Sequence, residues 1–534
     1  MLSDTLGGAP ALLRRDFLRT TGGALAGLAA YGSRELVLAS NPQPQRGGTL
    51  RFATRGDSTG LDPHRNTLYP VSTPLAAITQ GLLDLNLQSE PVPGVATEWD
   101  VSPDLLTYTF KLRKGVQFHN GREVDAEAVK WNFERIKNPK IGGAFARSAL
   151  ENLKEVVAPD KYTVRCHLEQ PSAAFPADVV FYPCNLMAPD SEAQADAHPI
   201  GCGPFKFVRW ERNTVTELVR FENYFETDAE GRSLPYLERI IGQPKLEDRV
   251  RLTALRAGEV DLIDTMAYTD AADFPQKYVG TFQTWDVPML GTSFVAFNLD
   301  RGPFTDKRLR QAAAHAVDRE AINQAVFYGR GGTATSSYAP GSPWHASGAR
   351  PAPEYDPDKA RFLIRQARAE GTPIVLQSLQ GFPYTHQTGE LLQAMWTDVG
   401  FKVQHHIYES AVARQKRRDR DFDADSTSAS YRFDPDGWCS RHLLSTAPSA
   451  KELSGFRNEQ VDQLIVEARQ TVHKQKRLEL YAAIDSIVND ELPILYLHHL
   501  TMLEAGTLQL KGYRPAISGL FTVQGGGIRT AWLG

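Results

Sequence analysis

The amino-acid sequence predicts an α/β protein built from two lobes with a cleft between them, and three observations lead to this fold class. Removing residues 1–39, a predicted export signal, from the 534 residues leaves about 495, too many for one core at about 100 to 200 residues per domain. Strand signals dominate up to Pro288, whereas helices and strands alternate from Gly291 to about His499. The strand-like segment from Gly506 to Gly534 can return to the first lobe, so that two crossings between lobes would make a hinge.

The first lobe shows alternating apolar and polar residues, the pattern of half-buried strands. The helices predicted between these strands have ordinary start and stop signals, such as Asp125 as an N-cap and Gly258 after the last turn. The sequence predicts strands over Thr49–Ala53, Leu105–Leu112, Tyr162–Leu168 and Phe205–Trp210, and helices over Pro74–Leu83, Ala126–Ile136 and Asp248–Ala257.

The second lobe reads as helices and strands in alternation, which is the pattern of an α/β unit. Gly400 ends one of the predicted helices, and Pro493 closes another. We expect strands over Phe294–Leu299, Ile374–Ser378, Phe401–Ile407 and Ile494–Leu497, and helices over Asp306–Tyr328 (one long or two in succession), Asp358–Glu370, His386–Val399 and Glu459–Asn489.

The N-terminal segment has the pattern of a twin-arginine export signal, with Arg14-Arg15-Asp16-Phe17-Leu18-Arg19 followed by a weakly apolar run over Thr20–Ala30. The run is shorter than the roughly 20 apolar residues that span a bilayer, so it predicts a cleaved signal. Val37-Leu38-Ala39 places cleavage after Ala39, and no cysteine for lipid attachment follows it. We therefore expect a periplasmic protein; the alternative is a chance arginine pair before an Ala/Gly-rich helix.

Composition and motifs argue against several classes of protein. A net charge of -4 with 42% hydrophobic and 23% charged residues is that of an ordinary globular protein and lacks the basic excess that nucleic acid requires. The sequence contains no H-E-x-x-H, P-loop or G-x-G-x-x-G motif, so it does not favour an enzyme. The pairs His405-His406 and His498-His499 point to opposite faces of a strand and are expected to be structural, so we predict no metal and no cofactor.

Four cysteines, at positions 166, 184, 202 and 439, are too few for a disulfide framework, and their spacing is unlike that of a zinc site. In an oxidising compartment one pair can still close. Cys184 and Cys202 flank a loop-like stretch and are the pair we would join. The alternative is four buried free thiols.

Several short blocks of sequence occur along the chain in the same order as in one known family. They are Gly60-Leu61-Asp62-Pro63, Tyr108–Arg113 with Phe118–Gly121, Gly201–Phe205, Gly258–Asp261, Phe297-Asn298 with Arg308–Ala312 and Ala316–Glu320, and Val461–Leu464. Together they resemble the extracellular solute-binding family 5, the peptide, nickel and oligosaccharide receptors of ABC importers. Most of these blocks are expected to be architectural, and Asn298 is expected to satisfy backbone groups near the crossover.

The resemblance implies a two-lobed periplasmic binding protein fold of the class II type, with an extra subdomain in the first lobe. It places lobe I at residues 46–86, 196–288 and 505–534, the extra subdomain at 87–195, and lobe II at 289–504. It implies a monomer without catalytic activity that closes around a solute and delivers it to a membrane permease and its ATPase. The expected solute is a peptide or peptide-like molecule.

The resemblance also bears on the ligand. In dipeptide receptors of this family, an aspartate of the second lobe binds the amino terminus, and an arginine before Pro-Tyr binds the carboxylate. Here the aspartate position falls on Tyr431, and Phe382 stands before Pro383-Tyr384. Both anchors are missing, which puts free dipeptides in doubt. The absence of both anchors leaves longer or modified peptides, glycosides, opine-like conjugates or a chelated metal as candidate ligands.

The candidate ligand-binding residues combine aromatic rings with charges, which suits stacking and carboxylate or phosphate binding. For Trp438 the alternative is a core position, and for Asp434 and Asp436 it is turn chemistry around Pro435. If Trp438 binds ligand, Trp438→Ala should weaken binding with little change in melting temperature. The candidates are Tyr69, Phe382, Tyr384, Tyr431, Arg432, Asp434, Asp436 and Trp438.

Three functions remain open from the sequence. The first is the solute receptor, the second an exported hydrolase, and the third a signalling or chaperone-like role on the same fold. Turnover of model substrates would separate the first two, and a permease and an ATPase encoded beside the gene would separate the first from the third.

Overall fold

The computed structural model describes residues 43–66, 72–430, 432–519 and 522–534, and those from Pro44 onward form one unit. The predicted export signal, Tyr69 and Tyr431 lie outside the described residues. None of the helices in the described ranges combines the length and the apolar character that a membrane crossing needs.

The elements alternate along the chain as an α/β protein requires. The strands are β1 Thr49–Thr54, β2 Leu83–Leu85, β3 Pro91–Pro93, β4 Ala96–Val101, β5 Thr107–Leu112, β6 Leu153–Asp160, β7 Thr163–Leu168, β8 Phe205–Glu211, β9 Val215–Arg220, β10 Arg239–Pro244, β11 Leu262–Ile263, β12 Phe282–Phe297, β13 Gly332–Thr333, β14 Pro373–Leu379, β15 Lys402–Tyr408, β16 Ala424–Ser430, β17 Ile494–Thr507, β18 Leu510–Lys511, β19 Thr522–Val523, β20 Gly526–Gly527 and β21 Trp532–Leu533. The helices are α1 Ser72–Ile78, α2 Ala126–Lys137, α3 Ala144–Ala149, α4 Phe175–Val179, α5 Asp248–Arg256, α6 Tyr268–Ala271, α7 Phe274–Lys277, α8 Lys307–His315, α9 Arg319–Phe327, α10 Pro357–Gln366, α11 Pro383–Asp398, α12 Ser410–Arg418, α13 Asp436–His442, α14 Pro448–Leu453, α15 Glu459–Arg469 and α16 Lys474–Glu491.

Two long antiparallel strands, β12 and β17, join the halves of an eleven-stranded sheet. On one side of them lie β16, β14 and β15, and on the other lie β11, β1, β10, β9 and β8; the eleventh strand, the short β13, pairs with β17 off this path. The chain therefore runs along β12 from the first half into the second and returns along β17. This double crossing is what the sequence predicts for a hinge between two lobes.

The first half carries a separate four-stranded antiparallel sheet in the order β4-β5-β7-β6, against which α2 packs. The Asp125 side chain accepts a 2.8 Å hydrogen bond from the backbone N–H of Ala128, which confirms the predicted N-cap of α2. Phe110 and Phe133 are fully buried in the core that results. The domain boundaries drawn from the resemblance stay a prediction.

In the second half, β14, α11 and β15 form the predicted strand-helix-strand unit, with β14 and β15 parallel. The helix begins at Pro383, earlier than the predicted His386, because proline suits the first helical turn. The predicted helix over Asp306–Tyr328 is two helices. Asp318 separates them by accepting a 2.9 Å hydrogen bond from the N–H of Ala321 at the start of α9.

Several predicted elements have other bounds in the structure. The strand predicted over Phe294–Leu299 is the end of the longer strand β12. The first part of β12 could not be predicted from the sequence, because Pro288 is a signal against a strand. In the structure, the pairing with β17 shifts beside Pro288. The helix predicted over Pro74–Leu83 ends at Ile78, whose carbonyl accepts a 2.9 Å hydrogen bond from the N–H of Gly203. The region predicted as helical over Glu459–Asn489 is two helices, α15 and α16.

Buried charges show the architectural role of the family blocks. Arg135 of α2 binds Asp62 through two hydrogen bonds of 2.7 and 3.0 Å and contacts His64 Nδ1 at 2.8 Å. Burial lowers the pKa of His64 to about 4, so its neutral ring can accept from the guanidinium. Asn298 donates to the carbonyl of Phe422 at 2.8 Å beside the crossing strands, as the sequence predicts.

The C-terminal segment is attached to the first half of the sheet by a buried arginine. Arg529 donates to the carboxylates of Asp84 and Glu226, the latter at 3.0 and 3.1 Å. All three side chains are nearly inaccessible to solvent. Thr522 adds a 2.9 Å hydrogen bond from its hydroxyl to the carbonyl of Ala76.

Candidate functional site

A cavity of about 1060 Å³ lies beside the crossing strands and is lined from both halves of the molecule. Such a volume is at the upper end of the range for small-molecule sites. Its lining is Arg55, Gly56, Asp57, Leu246, Asp248, Thr265, Met266, Ala267, Tyr268, Thr269, Met289, Ala325, Val326, Tyr328, Gly381, Phe382, Pro383, Tyr384, Gln387, Glu390, Leu391, Ser428, Leu500, Thr501, Met502 and Leu503.

The position of the cavity follows from the direction of the strands. In the first half, β1 runs parallel to β10 and β11, and the residues that follow each of these strands line the cavity. In the second half, β14 runs parallel to β15 and β16, and the segment after β14 lines the opposite wall. Ligands of open α/β sheets bind outside the carboxyl ends of the strands, so this is the expected place for a site.

Three methionines and four aromatic residues contribute apolar surface to the walls. Met266, Met289 and Met502 line the cavity from the first half and the crossing strands. Methionine is flexible and polarisable, and it adapts to apolar groups of varied shape. Tyr328 and Phe382 add aromatic surface from the second half. The walls therefore suit a solute with a large apolar part.

Tyr268 is a fixed part of the wall. Its hydroxyl donates to the carbonyl of Thr501 at 2.7 Å and accepts from the Thr501 N–H at 3.2 Å. Its ring meets Phe327 edge to face at 5.3 Å. Burial raises the pKa of Tyr268, so the phenol stays neutral and holds its position against the crossing strand β17.

The opposite wall begins at Phe382, whose ring lies 5.8 Å from that of Tyr384. Phe382 is 41% exposed and faces the cavity without being part of a core. Burial raises the pKa of Tyr384, while a hydrogen bond with Ser428 and the positive charge of Arg55 act in the opposite direction. Arg55 and Tyr384 line the cavity from different halves of the molecule.

Four charged side chains line the cavity, and Arg55 is the one cation among the lining residues that the structure describes. Asp57 accepts hydrogen bonds from Trp210 Nε1 at 3.1 Å and from the N–H of Asn213 at 2.6 Å. Asp248 pairs with Arg251. Glu390 is exposed on α11.

A buried acid lies on the crossing strand beside this site. Glu504 of β17 is 1% exposed, and a 2.7 Å hydrogen bond joins it to the Tyr513 hydroxyl. Burial, with a smaller effect of Asp264, raises the pKa of Glu504 from about 4.5 to about 8. The carboxyl group is therefore neutral at neutral pH in the folded protein.

This acid gives a pH-dependent prediction. Between its unfolded pKa near 4.5 and its folded pKa of about 8, the unfolded state binds fewer protons, so Glu504 costs stability as pH rises. Within that window, each unit of rising pH lowers the free energy of unfolding by about 1.4 kcal/mol at most. We expect Glu504→Gln to gain stability relative to wild type between pH 5 and pH 8, as measured by urea unfolding at both values. Parallel curves for the two proteins would contradict this prediction.

The structure separates the predicted ligand-binding residues into two groups. Phe382 and Tyr384 line the cavity, whereas the described candidates near residue 435 do not. Those outside the lining are Arg432, Asp434, Asp436 and Trp438. Their surroundings explain why.

The two aspartates are engaged in ion pairs. Asp434 binds Arg477 through two hydrogen bonds of 2.6 and 2.7 Å in a buried setting. Asp436 accepts a 3.2 Å hydrogen bond from Arg469 Nε. The Asp434 side chain also accepts from the N–H of Asp436 at 3.0 Å, which agrees with the turn that the sequence offered as an alternative.

Arg432 joins the second half to helix α3 and to the segment around α4 in the first half. Its Nη2 donates to Ser148 Oγ at 2.7 Å, and its guanidinium lies 5.5 and 5.2 Å from the rings of Phe145 and Phe181. The Asp178 carboxylate is 3.9 Å away, and burial raises its pKa to about 8. Arg432 is thus held by protein groups and does not face the cavity.

Trp438 is a core residue in the structure. It is 3% exposed, and its ring packs on Phe294 at 5.5 Å and on His442 at 4.4 Å. The short helix α13 turns this side chain inward, toward β12. This is the alternative that the sequence left open.

The predicted disulfide is absent from the structure, because Cys184 and Cys202 are both free, buried thiols. The Cys184 thiol donates to the carbonyl of Asp178, and the Cys202 thiol donates to the carbonyl of Gln80, each at 3.8 Å. Each sulfur is directed to a different carbonyl. Cys166 and Cys439 are likewise free and buried.

The thiols can be counted in solution. Burial raises the pKa of Cys184 and of Cys202 to about 12, which suppresses the reactive thiolate. We expect Ellman's reagent to detect almost no thiol in the native protein and all four cysteines after unfolding in guanidinium without reductant. Detection of only two after unfolding would show that a disulfide forms.

Histidine and serine side chains away from the cavity have structural partners. Within the described ranges, no group of three or more His, Cys, Asp and Glu residues is arranged to hold a metal ion. His498 Nε2 lies 2.8 Å from the carbonyl of Arg319, and His405 Nε2 lies 2.7 Å from Ser378 Oγ. Ser378 is fully buried and does not line the cavity, so this pair has no access to a bound solute.

Several lining residues were missed from the sequence, above all Arg55, Tyr268, Glu390 and the three methionines. One signal was available for Arg55, because it directly follows the predicted strand Thr49–Ala53. The rule that sites lie at the carboxyl ends of parallel strands could have found it. The others come together only through the fold.

Comparisons with known proteins identify similar chains. A family model described as bacterial extracellular solute-binding proteins, family 5 middle, matches residues 90–451. The dipeptide-binding protein of Escherichia coli K12 is 27% identical over 503 residues, covering 87% of this chain and 92% of its own. Heme-binding protein A of Haemophilus influenzae is 28% identical over 456 residues, covering 79% and 81%.

A solved structure agrees with the fold. The periplasmic binding protein DppA of Helicobacter pylori, in complex with the peptide STSA, superimposes with a TM-score of 0.76. It is 23% identical and covers 92% of this chain and 98% of its own. The match confirms the predicted two-lobed α/β fold.

Proposed function

The chain belongs to family 5 of the bacterial extracellular solute-binding proteins, and on that premise we propose that it is the substrate-binding protein of an ABC importer. It captures a peptide or peptide-like solute in the periplasm and delivers it to a membrane permease and its ATPase. The observation that carries this proposal is the cavity of about 1060 Å³ that both halves line beside β12 and β17.

Hinge closure is the proposed mechanism of capture. A solute that contacts the residues after β1 and the residues at the start of α11 touches both lobes at once. Such contacts favour the closed state by the difference in the free energy of binding to the closed and open forms. The strands β12 and β17 are the two connections that bend.

The peptide assignment is supported by the relatives, which include a dipeptide-binding protein. The cavity itself favours a solute larger and more apolar than a free dipeptide, since its walls are rich in methionine and aromatic residues. Phe382 supplies an apolar ring at the position where the resemblance expects arginine. Peptides with apolar side chains are therefore the first choice, and glycosides, opine-like conjugates and chelated metals are the alternatives.

The remaining features of the proposal come from the sequence. We place export by the twin-arginine route, with cleavage after Ala39, and a monomeric mature protein. Lobe I comprises residues 46–86, 196–288 and 505–534, the extra subdomain 87–195, and lobe II 289–504. A non-catalytic role fits a family of solute-binding proteins.

A thermal-shift screen with a cavity-blocking variant tests the proposal. Ala325 is exposed on α9 and lines the cavity, so Ala325→Trp should place a large ring in the path of the solute without disturbing the core. Gln324→Trp, at the exposed position before it and outside the lining, is the matched control. We expect apolar tri- to pentapeptides to raise the melting temperature of wild type and the control but not of Ala325→Trp. Stabilisation by sugars or metal chelates alone would redirect the proposal to those solutes.

A further inference from the structure

We propose that Arg432 is an inter-lobe latch, a positioning residue that holds the two lobes together in the closed form without touching the solute. The latch consists of Arg432 in the second half and its four partners in the first half, Phe145, Ser148, Asp178 and Phe181. The inference rests on the proposed function, because it concerns the hinge closure that captures the solute. It adds a residue that sets the affinity from outside the cavity.

The position of Arg432 places the latch between the two halves. Arg432 lies just after β16 and before α13, while Phe145 and Ser148 lie on α3 and Asp178 lies on α4. Arg432 and Ser148 are 284 residues apart in the chain. None of the five latch residues is among the described residues that line the cavity. The latch is therefore a contact between the halves that lies outside the solute site.

A hydroxyl, a carboxylate and two aromatic rings surround the guanidinium of Arg432. Its Nη2 donates to Ser148 Oγ at 2.7 Å, and its Nη1 lies 3.9 Å from Asp178 Oδ1. The rings of Phe145 and Phe181 meet edge to face at 4.8 Å, and their centres lie 5.5 and 5.2 Å from the guanidinium carbon. Because a planar guanidinium can stack on rings and donate hydrogen bonds at once, one side chain makes all of these contacts.

The exposure of the partners indicates an interface and not a core. Arg432 is only 9% exposed, whereas Phe145 is 40% exposed and the side chain of Asp178 is 25% exposed. The groups that cover Arg432 thus still reach water, and they can be fully hydrated when the lobes separate. We therefore expect the contact to break without unfolding of either lobe.

Two further contacts join the second half to the first near the end of α15 and the start of α16. Lys474 Nζ donates to Glu90 Oε1 at 2.6 Å, and the carbonyl of Arg469 accepts a 2.7 Å hydrogen bond from the N–H of Ala173. The side chains of the ion pair are 47% and 38% exposed, and exposed ion pairs contribute little to stability. The desolvated Arg432 is therefore the contact whose loss should matter most.

A contact that exists only in the closed form favours that form whether or not solute is bound. The affinity for solute includes the free energy of closure, so the latch raises the affinity and slows the release of solute. The open form and its first encounter with solute do not involve the latch. Loss of Arg432 should therefore change the dissociation rate and leave the association rate unchanged.

Distance measurements by electron paramagnetic resonance test the latch in the mature protein, with and without excess trileucine. Spin labels are attached at Lys154→Cys on β6 and Lys402→Cys on β15, which are exposed positions, while the four native cysteines are buried. We expect Arg432→Gln to shift the distance distribution towards separated lobes and Arg432→Lys to give a smaller shift, since lysine keeps the charge but loses the planar group. The control Arg414→Gln, at an exposed position on α12, should give the wild-type distribution.

The binding of trileucine supplies a second readout, by isothermal titration calorimetry and stopped-flow fluorescence. Arg432→Gln should weaken binding about 10-fold through faster dissociation. Phe145→Leu keeps an apolar side chain but removes the ring, and it should also weaken binding. The two changes together should weaken binding by less than the product of their separate effects, because they act on the same contact.

The outcomes separate a latch from a purely structural role. A lower melting temperature of Arg432→Gln with unchanged distance distributions would overturn the inference, and so would independent effects of the two changes in the double variant. If wild type does not bind trileucine, the distance distributions of the solute-free protein alone decide the latch. The thermal-shift screen decides the proposed function separately.

Discussion

Arg529→Ala is expected to lower the free energy of unfolding by about 3 to 5 kcal/mol, because it leaves two buried carboxylates without a counter-charge. Arg529 is the shared partner of Asp84 and Glu226, and all three side chains are buried. The Arg529 side chain brings the C-terminal segment into contact with residues more than 300 positions earlier in the chain. Its loss should therefore loosen the first lobe as a whole.

Urea unfolding followed by tryptophan fluorescence at pH 7 measures this effect. Arg46→Ala is the control, because its ion pair with Glu222 is solvent-exposed, with 46% and 64% side-chain exposure, and should change stability by less than about 1 kcal/mol. The loss in Arg529→Ala should also be smaller at pH 5. Burial already raises the pKa of Glu226, and without the arginine this acid can take up a proton instead. Equal stability of the two variants would contradict the role of Arg529.

Trp438→Ala is expected to lower the free energy of unfolding by about 3 to 5 kcal/mol while leaving the affinity for solute unchanged. The ring is 3% exposed and packs on Phe294 of the crossing strand β12. Removing it creates a cavity in the core but removes nothing from the lining of the candidate site. This is the outcome expected of the core alternative that the sequence left open for Trp438.

Phe382→Ala is the reciprocal variant. Because Phe382 is 41% exposed and lines the cavity, its loss should weaken solute binding and change stability by less than about 1 kcal/mol. Chemical unfolding and calorimetric titration with trileucine measure both quantities for both variants. Weaker binding by a stable Trp438→Ala protein would contradict the placement of Trp438 in the core.

The regular elements could be predicted because their signals are local. The strand-helix-strand unit β14, α11 and β15 follows from periodicity and from the glycine that ends the helix. The double crossing could be inferred from the change in pattern along the chain. The length of the crossing strand β12 could not be predicted, since Pro288 lies inside β12 and is a signal against a strand.

The candidate site was harder to predict because its residues converge from distant segments. Phe382 was found through a family motif at Pro383-Tyr384, whereas Arg55 and Tyr268 carry no motif. Asp434 looked available because its partner, Arg477, lies 43 residues further along the chain. Arg432 also looked available from the sequence, because the residues that contact it, Phe145 and Ser148 of α3 and Phe181 after α4, lie far away along the chain. Charged residues near a turn are therefore poor guides to a site until their ion pairs are known.

Native mass spectrometry of the mature protein purified from its own periplasm tests the central claim most directly, with Ala325→Trp prepared in parallel. The account predicts one small peptide or peptide-like solute on wild type, released on denaturation, and no such solute on Ala325→Trp. The same bound mass on both proteins would contradict the account, because the solute would then lie outside the cavity beside the crossing strands.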